Sequence, residues 1–570
     1  MNSSDSNPTL SNWFPNRAAV LGAILKRGST GFTSTPEPCF VGRTHIGSEL
    51  LRGKFSFSGH CVESSSDADI WELKSPGRGF ANQIHGFGWL DDLAAAGNVK
   101  ARKRAQKWLL NWINRYGTGK GPGWTPELAA RRMFRWINHS RFILKGLDKR
   151  QSEAFFRSMS VQAGFLASRW QASSPGLPRI ETVVGMIYAG IYLDGMASHL
   201  APASAALDVE CAKQIDERGG IASRNPEELL YLFALLVWTA QSISEAGRSP
   251  GEGHWSAIRR MALCMRTLRH SDGGLPRFHG GGGGTEGHLD SALSNSGVKG
   301  WLTDGKSMGF TRIAAGRCTV IIDSASPPVG KDSFKAHAST LAFELTSGLC
   351  PLVVNCGHGM NMDLNMQKAG RATPSHSTLV LAGQSSSRIS KGGNRRAPLS
   401  KVPGNVASTT SPSAGGMRFY GRHDGYRDLT GLEHERKLEL SHDGIVLKGE
   451  DLLVADEGGN MGLFDRMRKK FGNEGIYFEI RFHLHPNVGV EFDEEGSIAR
   501  MILENGESWM LSHDGNAALQ LERSVYFPDE SLEPRATSQI VLSGSAIKYR
   551  TRIKWRFSRF RKVLPLDSRI

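Results

Sequence analysis

Residues 436–454 read RKLELSHDGIVLKGEDLLV, and this stretch decides how the C-terminal half of the chain is built. Apolar and polar side chains alternate on both sides of the Asp443-Gly444 pair, which is the pattern of two half-buried strands joined by a tight turn. The same alternation recurs in short segments further out along the chain, among them CTVIID, LVVNCG, IYFEIRFHLHP and SQIVLSG. The sequence therefore predicts an all-β part.

The N-terminal half follows a different period. Between residues 86 and 268, apolar side chains recur every three or four positions, in segments separated by turns that contain glycine or proline. Thr125-Pro126 and Asn225-Pro226 are typical helix starts, because the first residue can cap the helix and proline fits its first turn. The predicted division is an irregular N-terminal arm (1–80), a helical domain (81–285), a Gly-rich linker (286–300) and the β domain (301–570).

Composition limits the classes of function. The chain of 570 residues carries 70 Lys and Arg against 55 Asp and Glu, a net charge of +15, and 39% of its residues are hydrophobic. These values exclude wholesale disorder and a multi-span membrane protein. The longest apolar run, 229–240, is too short to cross a bilayer, so no transmembrane segment is predicted. The positive charge favours a polyanionic partner, but nucleic acid is not expected, since the aromatic residues are not interleaved with basic ones as a stacking platform.

A basic C-terminal segment accounts for part of this charge. Cationic side chains alternate there with mostly apolar ones, which predicts a strand with one cationic face; the cations are Lys548, Arg550, Arg552, Lys554 and Arg556. Two interpretations remain open at this point. The charges either protect an edge strand from pairing with other chains or form a binding stripe.

Several common motifs are absent. The seven cysteines are scattered and form no CxxC, so neither a disulfide framework nor a zinc ribbon is indicated. The HGGGGG run at 279–284 lacks a preceding strand and a following Gly-Lys-Ser/Thr, and it is interpreted as a linker or a loop next to an active site rather than a phosphate loop. No HExxH or kinase signature occurs. The N-terminus has no basic region before its short apolar patch, so no secretory signal can be read.

Histidines in the β half are candidates for chemistry. Residues 334–343 are predicted to form a strand that carries Lys335, His337 and Ser339 on one face, and His376 opens the following strand STLVLAG. A single histidine of this kind is more often structural than catalytic. Several around one sheet would make a titratable, cationic surface suited to an anionic substrate.

Together these segments resemble the heparinase II/III-like polysaccharide lyases. The resemblance rests on the order and spacing of AHASTLAFEL, LVVNCG, RATPSHSTL, GLEHER and RFHLHP in the β half, and of GWTPELAARRMFRWI and PRIETVVGMIYAG in the helical half. It implies an α/α toroid followed by an antiparallel β-sandwich, and an acidic polysaccharide as the partner. It also implies a location in the cell envelope or periplasm; because no signal is readable, the cytoplasm is the alternative. The oligomeric state is not implied.

The resemblance also implies a reaction, β-elimination at a uronic acid. A base removes the C5 proton, a positive group neutralises the carboxylate, and an acid protonates the departing oxygen. The residues carried over as catalytic are His337, His376 and either Tyr188 or Tyr231. Those carried over as substrate-binding are Arg179, Glu181, Arg224, Asn225, Lys335 and Arg371. Arginine suits the role because its planar fork binds carboxylate or sulfate bidentately.

The chain departs from the family pattern at its candidate site. Where many members have His-x-His-x-Asp, this chain has Lys335-Ala-His337-Ala-Ser339, although His376 matches the second conserved histidine. A zinc site on His337 and His376 would therefore be incomplete, and no cofactor is expected to be required. Two functions stay open: a lyase for a uronate-containing glycan, or a catalytically impaired protein of the same fold that binds glycans or handles exopolysaccharide. The tyrosines could equally be core residues, and Arg224 and Asn225 a helix cap.

Overall fold

The computed structural model describes residues 8–26, 28–39, 42–359, 362–390, 397–456, 459–472, 474–528 and 533–560. The chain divides into two compact units. The first comprises residues 1–216 and 232–258, and the second comprises residues 217–231 and 259–570.

The first unit is helical. Its elements, with two helices that continue into the second unit, are α1 (Pro8–Ile24), α2 (Thr44–Arg52), the hairpin β1 (Lys54–Phe57) and β2 (His60–Glu63), α3 (Arg78–His85), α4 (Gly88–Ala96), α5 (Val99–Tyr116), α6 (Pro126–Asn138), α7 (Ser140–Leu144), α8 (Lys149–Arg169), α9 (Leu177–Tyr192), α10 (Leu200–Gln214), α11 (Pro226–Glu245) and α12 (Glu252–Thr267). Four tryptophans with no exposed surface lie in its core: Trp89, Trp108, Trp112 and Trp136. The Thr125 side chain caps α6 as predicted, since its hydroxyl accepts from the Leu128 amide.

The N-terminal arm is more regular than the sequence suggested. It contains α1 and α2, in addition to the strands predicted around 53–62. Helix α2 buries Leu50 and Leu51 and ends at Gly53, whose φ of 89° lies in the left-handed region. Glycine adopts that conformation without a steric penalty, so it closes the helix. The arm's mixture of Gly, Ser and Pro concealed this short amphipathic helix.

The second unit holds two large antiparallel sheets. The first sheet has the order β11-β12-β13-β14-β21-β18-β17-β16, and the second has β19-β20-β15-β7-β6-β5-β4-β3, with β8 also paired to β15. The strands are β3 (Lys306–Ser307), β4 (Phe310–Ala315), β5 (Cys318–Asp323), β6 (Phe343–Ser347), β7 (Cys350–Val354), β8 (Leu379–Leu381), β9 (Arg388–Ile389), β10 (Leu399–Lys401), β11 (Val406–Ser413), β12 (Gly416–His423), β13 (Glu433–Ser441), β14 (Val446–Val454), β15 (Ile476–Leu484), β16 (Gly489–Phe492), β17 (Ala499–Ile502), β18 (Ser508–His513), β19 (Ala518–Tyr526), β20 (Arg535–Ala546) and β21 (Arg550–Phe560). The helices that accompany them are α13 (His288–Asn295), which lies in the predicted linker, α14 (Leu364–Arg371), α15 (Arg427–Thr430) and α16 (Gly459–Lys470).

The hairpin predicted from residues 436–454 is confirmed. Strands β13 and β14 pair antiparallel with Leu440 opposite Leu447, and Gly444 in the connection has a φ of 70°. Leu438 and Leu453 join these two leucines in a core that leaves none of them exposed. The alternation of apolar and polar residues therefore predicted the buried face correctly. The predicted fold class, a helical half followed by an antiparallel β half, is also confirmed.

One of the two interpretations of the basic C-terminal strand was wrong, and so was one predicted strand. The basic C-terminal strand β21 is not an edge strand, because it lies between β14 and β18 in the middle of its sheet. Residues 334–343 do not form one strand either: a 3₁₀ turn covers Gly330–Lys335, and β6 begins only at Phe343. Between them Leu341 has a φ of 62°, and the Ala338 amide donates to the Arg371 carbonyl rather than to a neighbouring strand.

Candidate functional site

A buried carboxylate organises the histidines of the second unit. Asp323, the last residue of β5, has no exposed surface. Its oxygens accept from the Ser339 hydroxyl at 2.6 Å and from Arg224 Nη2 at 2.5 Å, and His279 Nε2 lies 3.2 Å away. Burial by itself would raise the pKa of Asp323, but the positive charge of Arg224, the adjacent His279 and the hydrogen bond from Ser339 hold it well below its usual range. Asp323 is therefore an ion that the surrounding residues neutralise.

A hydrogen bond joins two further imidazoles, those of His337 and His376, and a third imidazole, that of His279, accepts from the His337 backbone amide. The Gly280 amide donates to His337 Nε2 at 3.0 Å, so the proton of His337 is assigned to Nδ1, which lies 2.9 Å from His376 Nε2. His376 Nδ1 in turn donates to the Ala372 carbonyl at 2.8 Å. His279 Nδ1 accepts from the His337 backbone amide at 3.1 Å, so its proton is assigned to Nε2, which lies 3.2 Å from Asp323 without hydrogen-bond geometry. We call His279, His337, His376 and Asp323 the histidine network.

The network holds its histidines in the neutral form. Both His337 and His376 are fully buried. Burial lowers the pKa of His376 to about 4 and that of His337 well below its ordinary value, and the nearby His376 lowers the latter further. At neutral pH each ring has one donor and one acceptor, and both are used within the protein.

The candidate anion-binding arginines of this unit are also used internally. Arg371 donates to the carbonyls of Ser333, Ala336 and Ala397 at 2.8–2.9 Å. Arg224 donates to several loop carbonyls in addition to Asp323, namely those of Met308, Gly309, Ala325 and Ser326. Both side chains are nearly fully buried, and their guanidinium groups bind the backbone of neighbouring loops.

The remaining candidates of the second unit have separate surroundings. Asn225 accepts from the amides of Glu227 and Glu228 at 3.0 Å, so its side chain caps α11. Tyr231 is half-buried on α11, and Lys335 is exposed at the end of the 3₁₀ turn. Of the predicted site residues, the structure thus brings together His337, His376 and Arg224.

Three candidates lie in the first unit, all on α9. Glu181 is buried in a two-pronged ion pair with Arg131, with contacts of 3.0 and 2.8 Å. Arg179 donates to the Ser173 carbonyl at 2.7 Å. Tyr188 is almost fully buried with its hydroxyl 3.8 Å from Cys39 Sγ, and burial raises its pKa well above the ordinary value. Each of these polar groups has an internal partner.

Sequence reasoning missed the residue at the centre. Ser339 stands where the family pattern has a carboxylate, and its hydroxyl donates to Asp323, the last residue of β5. An aspartate closing the otherwise mostly apolar run CTVIID was a usable signal, because a buried charge needs partners. His279 was not predicted as a site residue, because in the sequence it is only the first residue of the glycine run.

The two candidate zinc ligands do not fit a zinc ion. Zinc binds unprotonated nitrogens that point at one metal, whereas the facing nitrogens of His337 and His376 share a hydrogen bond and the other two have backbone partners. Across the residues that the structure describes, no group of three or more His, Cys, Asp or Glu could hold a metal. We derive no step through a metal.

Comparison with known proteins finds a family that matches the second unit. Residues 299–556 match the family described as heparinase II/III-like, C-terminal. This part of the chain belongs to that family. Among solved structures, the chain is similar to heparinase III (TM-score 0.67, 13% identity, 96% of this chain and 89% of that one) and to the heparan sulfate lyase HepC of Pedobacter heparinus (TM-score 0.56, 12% identity, 96% and 87%). The chain therefore has the heparinase III fold.

The chain also matches a relative that is named for its location and not for an enzymatic activity. The chain is 27% identical over 559 residues to the FtsZ-localized protein C of Caulobacter vibrioides, covering 96% of this chain and 93% of that protein. Among the described residues, no helix is long and apolar enough to span a membrane.

Proposed function

We propose that this heparinase-fold protein is a non-catalytic binding protein that localises with FtsZ. The observation that carries the proposal is the histidine network, in which both candidate catalytic histidines are fully buried and every ring nitrogen of the pair has a protein partner. The partner is suggested by the relative named FtsZ-localized protein C, because the similarity covers nearly the whole of both chains.

The chemistry of elimination supports this choice. A base must come within hydrogen-bond reach of the C5 proton, and a positive group must contact the uronate carboxylate. His337 and His376 would each have to break internal hydrogen bonds to do so, and Arg224 would have to leave the buried carboxylate of Asp323. Leaving such buried groups unpaired is costly, so the arrangement favours a structural role.

A lyase is the second candidate. It is favoured by the similarity to heparinase III over 96% of the chain and by the retained His376. Elimination produces a conjugated unsaturated uronate that absorbs near 232 nm, whereas binding alone does not. Under our proposal, absorbance at 232 nm stays flat across heparin-like, alginate-like and bacterial acidic glycans.

Binding of the purified chain to FtsZ and the position of the protein in cells test the proposal. In biolayer interferometry, the immobilised full chain is expected to bind purified FtsZ saturably and to ignore serum albumin at the same concentration. A fluorescent fusion is expected to share the compartment and position of FtsZ in cells. Rising absorbance at 232 nm that is lost in His376→Ala would establish the lyase instead, and failure to bind FtsZ would remove the partner.

A further inference from the structure

A charged groove lies on the outer face of the first sheet, away from the residues of the histidine network. It encloses about 730 Å³, and its walls come from five neighbouring strands, β12, β13, β14, β21 and β18. Five Lys or Arg side chains line it against three carboxylates, so the groove has an excess of positive charge. We call it the outer groove.

Part of this charge is neutralised within the sheet. Arg418 contacts Glu439 at 2.6 Å, and Lys437 contacts Glu450 at 2.9 Å. Lys554 and Arg556 are exposed on β21, and among the described residues neither side chain has an ion pair or a hydrogen bond. These two cations are available to a ligand.

The register of the sheet places like charges side by side. Lys448 on β14 lies directly opposite Arg556 on β21, whereas Lys554, two positions along the same face, lies opposite Glu450. Directly opposed like charges destabilise a sheet, and Glu439, 3.7 Å from Lys448, offsets part of this effect. Protection of an edge cannot explain it, because β21 has partners on both sides. An anion between the two strands would remove the repulsion.

We propose that the outer groove binds an extended acidic segment of a partner protein. Side chains two positions apart on β21 are about 7 Å apart, and alternate residues of an extended peptide repeat at the same distance. Glu439, Glu450 and Asp514 lie among the cations, and they would repel a polymer with a charge on every unit, such as a sulfated glycan or a nucleic acid. A peptide with acidic residues at alternate positions fits both features. The inference does not depend on FtsZ being the partner.

The test uses the full chain and a fluorescein-labelled (Glu-Ser)₅ peptide, with (Gln-Ser)₅ as the neutral probe. Fluorescence anisotropy in 50 mM salt is expected to show binding of the acidic peptide only. The double variant Lys554→Ser/Arg556→Ser is expected to bind about tenfold more weakly. Lys100→Ser/Lys103→Ser removes two exposed cations from α5 and is expected to change affinity less than about twofold, since it alters net charge equally but not the groove.

A variant with the opposite expected effect distinguishes a specific loss of binding from a loss of folding. Glu450→Gln removes a carboxylate from the groove and releases Lys437, so binding is expected to tighten about threefold. Equal losses in the two double variants would overturn the proposal in favour of non-specific charge. No binding by the wild-type chain, or equal binding of the neutral peptide, would also overturn it. So would tighter binding of a heparin fragment that is lost in the Lys554→Ser/Arg556→Ser variant, because the groove would then serve a glycan.

Discussion

Among single side chains, Asp323 shows how one buried carboxylate orders the residues around it. The family carboxylate on the segment 335–339 is absent, and Asp323 supplies a charge from the adjoining strand that draws in Arg224, His279 and Ser339. Resemblance could locate His337 and His376, since both stand in quoted motifs. It could not show that these histidines are buried, because their burial depends on loops from distant parts of the chain. Arg224 and Arg371 hold those loops in place by donating hydrogen bonds to their backbone carbonyls.

The variant His376→Ala separates a structural histidine from a catalytic one. It leaves the Nδ1 proton of His337 and the Ala372 carbonyl without a buried partner and opens a cavity, so we expect a loss of about 2–4 kcal/mol in the free energy of unfolding. Urea denaturation measures it, with the exposed His442→Ala as the matched control, expected to lie within about 0.5 kcal/mol of wild type. A His376→Ala protein as stable as wild type would contradict the structural role.

Among the strands, alternation predicted which face of a strand is buried, but not where the strand lies in the sheet. The hairpin β13–β14 followed from its own sequence because its turn and its apolar face are local. The central place of β21 depends on pairing with β14 and β18, which come from different parts of the chain. Residues 334–343 have a strand-like pattern, yet hydrogen bonds from Arg371 to the carbonyls of Ser333 and Ala336 use acceptors that a strand partner would need.

One contact between β14 and β21 can be tested by adding a single methyl group. A Cβ at Gly449 would lie 2.1 Å from the Trp555 ring, which stacks on Phe343 with centroids 5.7 Å apart and donates to Asp451 at 2.7 Å. Because the ring is held on several sides, Gly449→Ala is expected to destabilise the protein by about 3 kcal/mol. The control Gly462→Ala in α16 has nothing within 4 Å and is expected to stabilise by about 0.5–1 kcal/mol. Equal effects in thermal melts would mean that the ring moves aside.

For the chain as a whole, buried neutral histidines set the response to acid. Burial lowers the pKa of His85 to about 3 and of His254 to about 4 in the first unit, and of His376 to about 4 and His483 to about 3 in the second. In the unfolded chain histidine titrates near 6.5. Between these values the unfolded state binds more protons than the native state, so stability is full above about pH 6.5 and falls as the pH drops toward 4.

We therefore expect the free energy of unfolding, measured by urea denaturation, to be constant above pH 7 and to fall steeply below 6.5, by about 1.4 kcal/mol per pH unit for each such histidine, and the urea midpoint to fall with it. Asp92, whose pKa burial raises to about 6, opposes the trend, whereas the lowered pKa values of Asp323 and Asp451 withdraw stability only below about pH 4. His376→Gln removes one titrating group and should make the decline shallower by about one proton. A midpoint unchanged down to pH 4.5 would mean that these histidines are protonated in the native protein, and the neutral histidine network would then be wrong.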